Sequence, residues 1–256
     1  MKIHNYYNTI NWGTSYRKVI KPSYSLGDCY EASTCFFKED FPWQSFFDNA
    51  IKKYKNTQRI NIFSLACSDG SEAYSIAMLL ISKLGLEQAQ KYFPIIAVDF
   101  DKKITRKTKQ GFISLSADDE LRINAITNNQ LNKFMTKTNN SFISDKIGGT
   151  DNRKLLTQFK LNPILQDKVA FITEDINTFV DKIPNETNII FCRNCWPYLW
   201  KTTEVFTKKL ADKIDKNSFL SIGSFDFLLC PMTIKDCYGF TKHNEFKNVY
   251  VKSQNL

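Results

Sequence analysis

No apolar run in this chain is long enough to cross a membrane. The longest runs, around Ile76 to Leu84 and Phe219 to Cys230, are broken by polar residues. The start, Met1-Lys2-Ile3-His4-Asn5-Tyr6-Tyr7, lacks the apolar core of a secretory signal, so a cytoplasmic location is expected. Seven cysteines, an odd number scattered from Cys29 to Cys237, do not make a disulfide framework and suit a reducing compartment. Cys192 and Cys195 form a C-x-x-C, but there is no second such pair. The only histidines, His4 and His243, are remote from it, so no metal site is expected. No internal repeat is visible.

The charge balance does not point to nucleic acid either. Thirty-five basic residues against 26 acidic give a net charge of +9. The lysines are spread widely, at Lys102-Lys103, Lys107, Lys109, Lys208-Lys209 and Lys213, without interleaved aromatics. A solvated surface is the expected reading, with no specific nucleic-acid partner.

What is present is the composition of a globular protein, 43% hydrophobic and 24% charged, in 256 residues that can bury a full core. The punctuation is α/β. Residues 1–30 are rich in Tyr, Asn, Lys and Ser and read as an irregular arm. Adjacent Phe36 and Phe37 follow; a helix entry with buried aromatics is the favoured reading, and one ring inward with the other covering a ligand is the alternative. Trp43, Phe46, Phe47, Ala50, Ile51 and Tyr54 recur at helical spacing.

Ile60 to Cys67 reads as a strand, Ser68-Asp69-Gly70 as a turn, and Glu72 to Leu84 as a helix that ends at Gly85. A strand, small-residue turn and helix open a Rossmann-like unit. Ser68-Asp69-Gly70-Ser71 lacks the three-glycine fingerprint, which disfavours a pyrophosphate ligand. Pro94 to Asp101 is a second strand ending in acids. Asp99 is placed to accept ribose hydroxyls, and Asp101 to cap a helix over Lys102 to Lys109.

From Gly111 to about Asp167 the pattern departs from the sheet. One or two helices are expected around Leu121 to Met135, then a polar stretch with Gly148-Gly149 that suggests a small β-ribbon or lid. Strand signals return at Val169 to Ile172, at Asn188 to Phe191 and at Ser218 to Gly223, with a helix over Trp200 to Ile214. Phe246 to Lys252 alternates as a last antiparallel edge strand. We therefore expect an α/β fold, a doubly wound Rossmann-like sheet flanked by helices. Residues 1–54 are read as a short N-terminal arm and helical lead-in. Residues 55–256 are read as the main domain, with a small inserted subdomain at about 111–167.

The stretch Ile189-Ile190-Phe191-Cys192-Arg193-Asn194 with Tyr198 beyond it puts a polar cluster at the carboxyl end of a buried strand. Ligands of open α/β sheets sit at such ends.

Four segments together resemble the S-adenosylmethionine-dependent chemotaxis receptor methyltransferases of the CheR type. Thr34-Cys35-Phe36-Phe37-Lys38 is similar to the family's T-x-F-F-R. Ala66 to Ala77 is similar to A-x-S-T-G-E-E-P-Y-S-I-A, Ala97 to Asp101 to A-T-D-I-D, and Ile190 to Tyr198 to I-F-C-R-N-V-x-I-Y. The order and approximate spacing also agree.

The resemblance implies a methyltransferase sheet that binds S-adenosylmethionine, releases S-adenosylhomocysteine, and methylates a glutamate of a protein acceptor such as a chemoreceptor. Carried over by position, Thr34, Lys38, Ala66, Ser68, Gly70, Glu72, Asp99, Phe100, Asp175, Ile176, Arg193 and Asn194 would line the cofactor. Tyr198, Lys38 and Arg193 would act at the reaction centre. Lys38 stands where the family has arginine, Ser71 where it has the first glutamate of G-E-E, and Ala73 where it has proline. The segment before Thr34 is short for the family's receptor-engaging helical domain. A small-molecule carboxylate acceptor and a non-catalytic cofactor-binding signalling module are the alternatives. A nucleic-acid methyltransferase lacks an Asn/Asp-Pro-Pro-Tyr motif.

Overall fold

A computed structural model describes residues 35–144, 154–199, 202–224, 226 and 238–252. The elements in chain order are α1 (Trp43–Lys53), β1 (Asn61–Leu65), α2 (Ser71–Ala89), β2 (Ile95–Asp99), α3 (Lys102–Lys109) and β3 (Phe112–Leu115). Next come α4 (Ala117–Ile126), α5 (Leu131–Phe134), β4 (Met135–Ser144), β5 (Lys154–Leu161), α6 (Pro163–Gln166), β6 (Val169–Thr173) and α7 (Ile176–Phe179). The chain closes with β7 (Asn188–Phe191), α8 (Trp196–Leu199), α9 (Thr203–Asp212), β8 (Phe219–Ser221), β9 (Phe240–Lys242) and β10 (Val249–Lys252).

Seven strands form one sheet in the order β6-β2-β1-β7-β8-β10-β9. The first five are parallel, and β10 and β9 are antiparallel. Successive strands run outward from β1 to β2 and β6, after which the chain returns to lay β7 on the other side of β1. The order therefore reverses between β1 and β7, and the carboxyl ends of those two strands open the crevice where such sheets bind ligands.

The buried strands carry apolar residues to both faces because both faces are covered. Ile62, Ile189 and Phe191 join one core with Phe46 and Phe47 of α1 and Ile76 and Leu80 of α2. Phe63, Leu65 and Ile190 point to the other, with Phe179, Trp196, Phe206 and Leu210. This alternation is the period of two expected of a strand. Helix α2 is buried from Ala73 through Ile81, so it is apolar all round rather than amphipathic.

Several expectations are corrected. Gly85 does break α2, at φ +72°, but helical structure resumes as far as Ala89. The helix expected from Trp200 begins at Thr203, after the separate short turn of α8. β10 is antiparallel but internal; β9, which was not foreseen, is the edge. Phe36 and Phe37 are both 1% exposed, in line with the favoured reading of buried aromatics, though they sit in a turn rather than a helix entry. A left-handed turn at Phe37, φ +46°, lets neighbouring side chains enter the same core, which a regular element would forbid. Between Phe112 and Leu161 lies a separate three-stranded antiparallel sheet, β3-β5-β4, with an irregularity between Lys137 and Ser141. Gly148-Gly149 and the arm before residue 35 lie outside the described residues.

Candidate functional site at the carboxyl edge of the sheet

The connection from β1 to α2 is tightly coiled. Ala66, Ser68 and Gly70 all have positive φ, at +56°, +51° and +83°. Two of them carry side chains, and such backbone persists only when its surroundings hold it. They do: Cys67 N–H donates to Val98 O at 3.0 Å, Ser68 N–H to Asp99 Oδ2 at 2.8 Å, and Gly70 N–H to Cys67 O at 3.0 Å. Gly70 is needed for space as well as conformation, since a β-carbon there would lie 2.5 Å from Phe171 Cζ. Its close neighbour is thus a ring of β6.

Asp99 ends β2 and is buried. Besides Ser68 N–H, its carboxylate accepts Asp101 N–H at 3.0 Å. Burial raises its pKa above the ordinary aspartate value, and the backbone donors of Asp101 and Ser68 offset only part of that. Phe100 beside it is 55% exposed, a large aromatic surface at the same edge. Asp101 caps α3 through Lys103 N–H at 2.7 Å.

Arg193 follows β7 and is almost entirely buried. Nη1 donates to Glu72 Oε2 at 3.1 Å and Nη2 to Asp40 Oδ1. Its guanidinium carbon lies 5.1 Å from the Phe41 ring centre and 5.5 Å from that of Trp43. Glu72 also accepts from Ser64 Oγ at 2.8 Å. Asp40 accepts from Ser224 N–H and Oγ at 3.3 and 3.2 Å. Burial alone would raise the Asp40 pKa, but the Arg193 charge and the Ser224 hydrogen bonds bring it below the usual aspartate value.

Beyond Arg193 the chain turns sharply at Asn194, φ +58°. The Cys192 and Cys195 thiols on either side are buried and 3.1 Å apart. Asp226 accepts the N–H groups of Asn194 and Trp196. Tyr198, on α8, is 50% exposed. Asn194 Oδ1 and Arg193 Nε are buried without a hydrogen-bond partner among the described residues.

The connections that leave β1, β2 and β6 before the next helix hold Asp69, Asp101, Glu174 and Asp175, but no Lys or Arg. An acidic edge on a chain of net charge +9 suits a cationic ligand. Unpartnered polar atoms, a buried carboxylate and an exposed aromatic at that edge fit a nucleoside carrying a positive charge.

The model of the CheR methyltransferase SAM-binding domain matches residues 32–239. The chain belongs to the CheR methyltransferase family. Its cofactor is S-adenosylmethionine. Chemotaxis protein methyltransferases of Borreliella burgdorferi and Salmonella typhimurium are 28% identical over 200 residues and 25% identical over 171. These matches cover 74% and 67% of this chain, and 62% and 51% of the relatives. Chemotaxis protein methyltransferase 2 of Vibrio cholerae is 28% identical over 171 residues, 64% of this chain and 51% of that protein. The chain thus spans about half to three-fifths of the length of these curated relatives.

Of the residues singled out in the CheR-like motifs, the structure joins Ser68 to Asp99 and Glu72 to Arg193 directly. The resemblance implies that Arg193 lines the cofactor and acts at the reaction centre; the carboxylates it holds here are the chain's own, Glu72 and Asp40. Ile176 is buried in the core below the edge, whereas Asp175 is exposed and caps α7 through Asn177 N–H at 2.8 Å. Lys38 is half-buried, and its carbonyl accepts from Trp43 Nε1 at 2.9 Å. Thr34 lies outside the described residues.

Asp40, Gly223, Ser224 and Asp226 were missed. Asp40 stands just past the recognised Thr34 to Lys38 segment. The other three follow the last parallel strand, where a glycine and an acid three residues on at a carboxyl end were the available signal. Among the described residues no His, Cys, Asp and Glu group could hold a metal ion. No helix of the described residues is long and apolar enough to cross a membrane.

Proposed function

We propose that this protein transfers a methyl group from S-adenosylmethionine to a glutamate carboxylate of a protein acceptor, with a chemoreceptor-like protein as the expected partner. The observation that carries this reading is the acidic carboxyl edge beside the β1/β7 reversal, with Asp69, Asp99, Asp101, Glu174 and Asp175, in a chain whose residues 32–239 match the CheR SAM-binding domain. When bound, S-adenosylmethionine supplies an electrophilic methyl on a sulfonium and leaves as S-adenosylhomocysteine.

The residues' tasks are modest. A glutamate carboxylate is already ionised at neutral pH, so the chain needs no strong base. It must hold an oxygen in line with the methyl and keep water away. The Asp99 carboxylate accepts ribose hydroxyls beside Phe100, with Ala66, Ser68, Gly70, Glu72, Asp175, Ile176 and Asn194 shaping the cleft. Lys38 closes it from the N-terminal side, and Thr34 is assigned to the cofactor by its motif alone. Tyr198, exposed at the edge, orients the acceptor carboxylate by donating to the oxygen that does not attack. Lys38 neutralises a carboxylate as a point charge, without the two-pronged donor of an arginine. Arg193 fixes Glu72 rather than touching substrate.

The same reading assigns residues 1–54 to an arm and lead-in and 55–256 to the cofactor-binding domain, with 111–167 inserted. It places the protein in the cytoplasm. A second reading, a module that binds the cofactor without transferring its methyl group, is favoured by the engagement of Arg193 with Asp40 and Glu72.

Calorimetry with S-adenosylmethionine and S-adenosylhomocysteine tests both, since each requires micromolar-range binding; no binding to either sinks both. Labelled-methyl transfer into cell extract then separates them. A base-labile label on a protein band, lost in Tyr198→Phe, supports a glutamyl ester. Tight binding with no transfer supports the module.

A further inference from the structure

The loop that leaves β8 carries two residues that no family motif brought to notice, Gly223 and Asp226. Asp226 is fully buried. Its carboxylate accepts Gly223 N–H at 2.8 Å from its own loop, and the N–H groups of Asn194 and, at 3.1 Å, Trp196 from the turn after β7. The β7–β8 ladder pairs Ile189 to Phe191 with Phe219 to Ser221, and Cys192 N–H makes its final bond to Ser221 O at 2.9 Å. Asp226 takes over where that ladder stops.

Gly223 is the other half of the fixture. A β-carbon there would stand on the Asn194 carboxamide and 2.6 Å from the Asn194 backbone nitrogen. The left-handed turn at Asn194 is thus held from one side by two of its own N–H groups, those of Asn194 and Trp196, bonded to one carboxylate that Gly223 N–H fixes in turn. On the other it is held by a contact that only glycine permits. Helix α8, which carries Tyr198, starts at Trp196, directly on the turn so fixed.

We propose that Asp226 and Gly223 are positioning residues, which hold the backbone from Asn194 to Trp196 so that Asn194 and Tyr198 stand at the cofactor edge. The inference rests on the function proposed above, because it needs that edge to be where the cofactor and acceptor meet.

The test uses the full chain in three variants, Asp226→Asn, Gly223→Ala and Asn194→Ala, and the double variant Gly223→Ala/Asn194→Ala. Affinity for S-adenosylhomocysteine is measured by calorimetry, methyl transfer by kcat and KM, and folding by urea unfolding. An asparagine offers one acceptor oxygen where the carboxylate offers two. Asp226→Asn is therefore expected to loosen the turn and lower kcat roughly tenfold or more, with a smaller change in acceptor KM.

Gly223→Ala is expected to weaken S-adenosylhomocysteine roughly tenfold; Asn194→Ala removes the carboxamide part of the collision but not the approach to the Asn194 backbone nitrogen, so the losses in the cycle are expected to be less than additive without vanishing. Additive losses in that cycle, or unchanged affinity and kcat in folded single variants, overturn the proposal. If Asp226→Asn does not fold, the Gly223 cycle decides alone. A wild-type chain that fails to bind S-adenosylhomocysteine overturns the underlying function and this inference with it; a wild type that binds, with indifferent variants, overturns the inference alone.

Discussion

Arg193 and Asp40, 153 positions apart in sequence, form an ion pair beside the sheet's carboxyl edge. The arginine side chain is 2% exposed and the aspartate 28%. Through Glu72 on its other side, Arg193 joins three parts of the chain: the segment before α1, the start of α2 and the end of β7. A buried guanidinium is tolerated here because a carboxylate on each side accepts its N–H groups.

Removing the cation leaves Glu72 and Asp40 facing each other without compensation. Arg193→Ala is therefore expected to lose about 3–5 kcal/mol in urea unfolding, the usual cost of breaking a buried pair from one side. Arg193→Lys keeps the charge but not the fork, so it should recover only part of the loss. A loss below about 1 kcal/mol for Arg193→Ala, the scale of an exposed pair, would refute this account.

Gly70→Ala combines two penalties. The left-handed backbone costs about 1–2 kcal/mol for a residue with a β-carbon, and the approach to Phe171 Cζ at 2.5 Å adds overpacking. Replacing Phe171 by leucine in the Gly70→Ala background should relieve the second and leave the first. A double-mutant cycle on unfolding free energy is expected to show a coupling of about 1 kcal/mol or more. Strict additivity would mean that the ring simply moves aside.

These contacts show what the sequence could and could not reveal. The strand-turn-helix of residues 60–84 was legible because apolar runs and small turn residues are local signals. The doubly wound sheet was legible from the alternation of strands and helices, but its strand order, which reverses between β1 and β7, has no local signal. Asp40 and Asp226 were not legible: each lies outside the recognised motifs, and its partners are set by the fold rather than by spacing. The burial of Phe36 and Phe37 was legible, but the positive φ at Phe37 was not, since a phenylalanine does not advertise it. β9 escaped notice because it is only three residues long, Phe240–Lys242, too short to show an alternating pattern.

Asp226 should also leave a mark on the pH dependence of stability. Burial pushes its pKa from 3.8 up to about 6, against the N–H groups of Gly223, Asn194 and Trp196 and the charge of Arg193. A folded-state pKa above the unfolded one means that the native state binds the extra proton. The group's favourable contribution is then complete below about pH 4 and is lost as pH rises through 6. The loss amounts to about 3 kcal/mol at most. Asp226→Asn cannot ionise, so the difference in stability between wild type and variant should change across that window and be flat above it. Parallel curves from pH 4 to 7 would rule out the titration.

Asp99 makes the corresponding prediction for ligand affinity. Its raised pKa means that some of the population takes up a proton in acid solution before an ordinary aspartate would. Ribose hydroxyls donate hydrogen bonds, so they favour the ionised carboxylate, and binding should release a proton in that range. Affinity for S-adenosylhomocysteine is therefore expected to fall as pH is lowered through the Asp99 titration. Calorimetry in buffers of different ionisation enthalpy should detect the released proton. Asp99→Asn removes the charge and can accept from only one of Ser68 and Asp101 through its oxygen, so both the ribose contact and the β1–α2 turn suffer. A loss of about 1.5–3 kcal/mol in affinity is expected, the scale of a hydrogen bond to a charged group, together with disappearance of the acid limb. Retention of wild-type affinity and of the same pH slope in Asp99→Asn would place the ribose elsewhere on the edge.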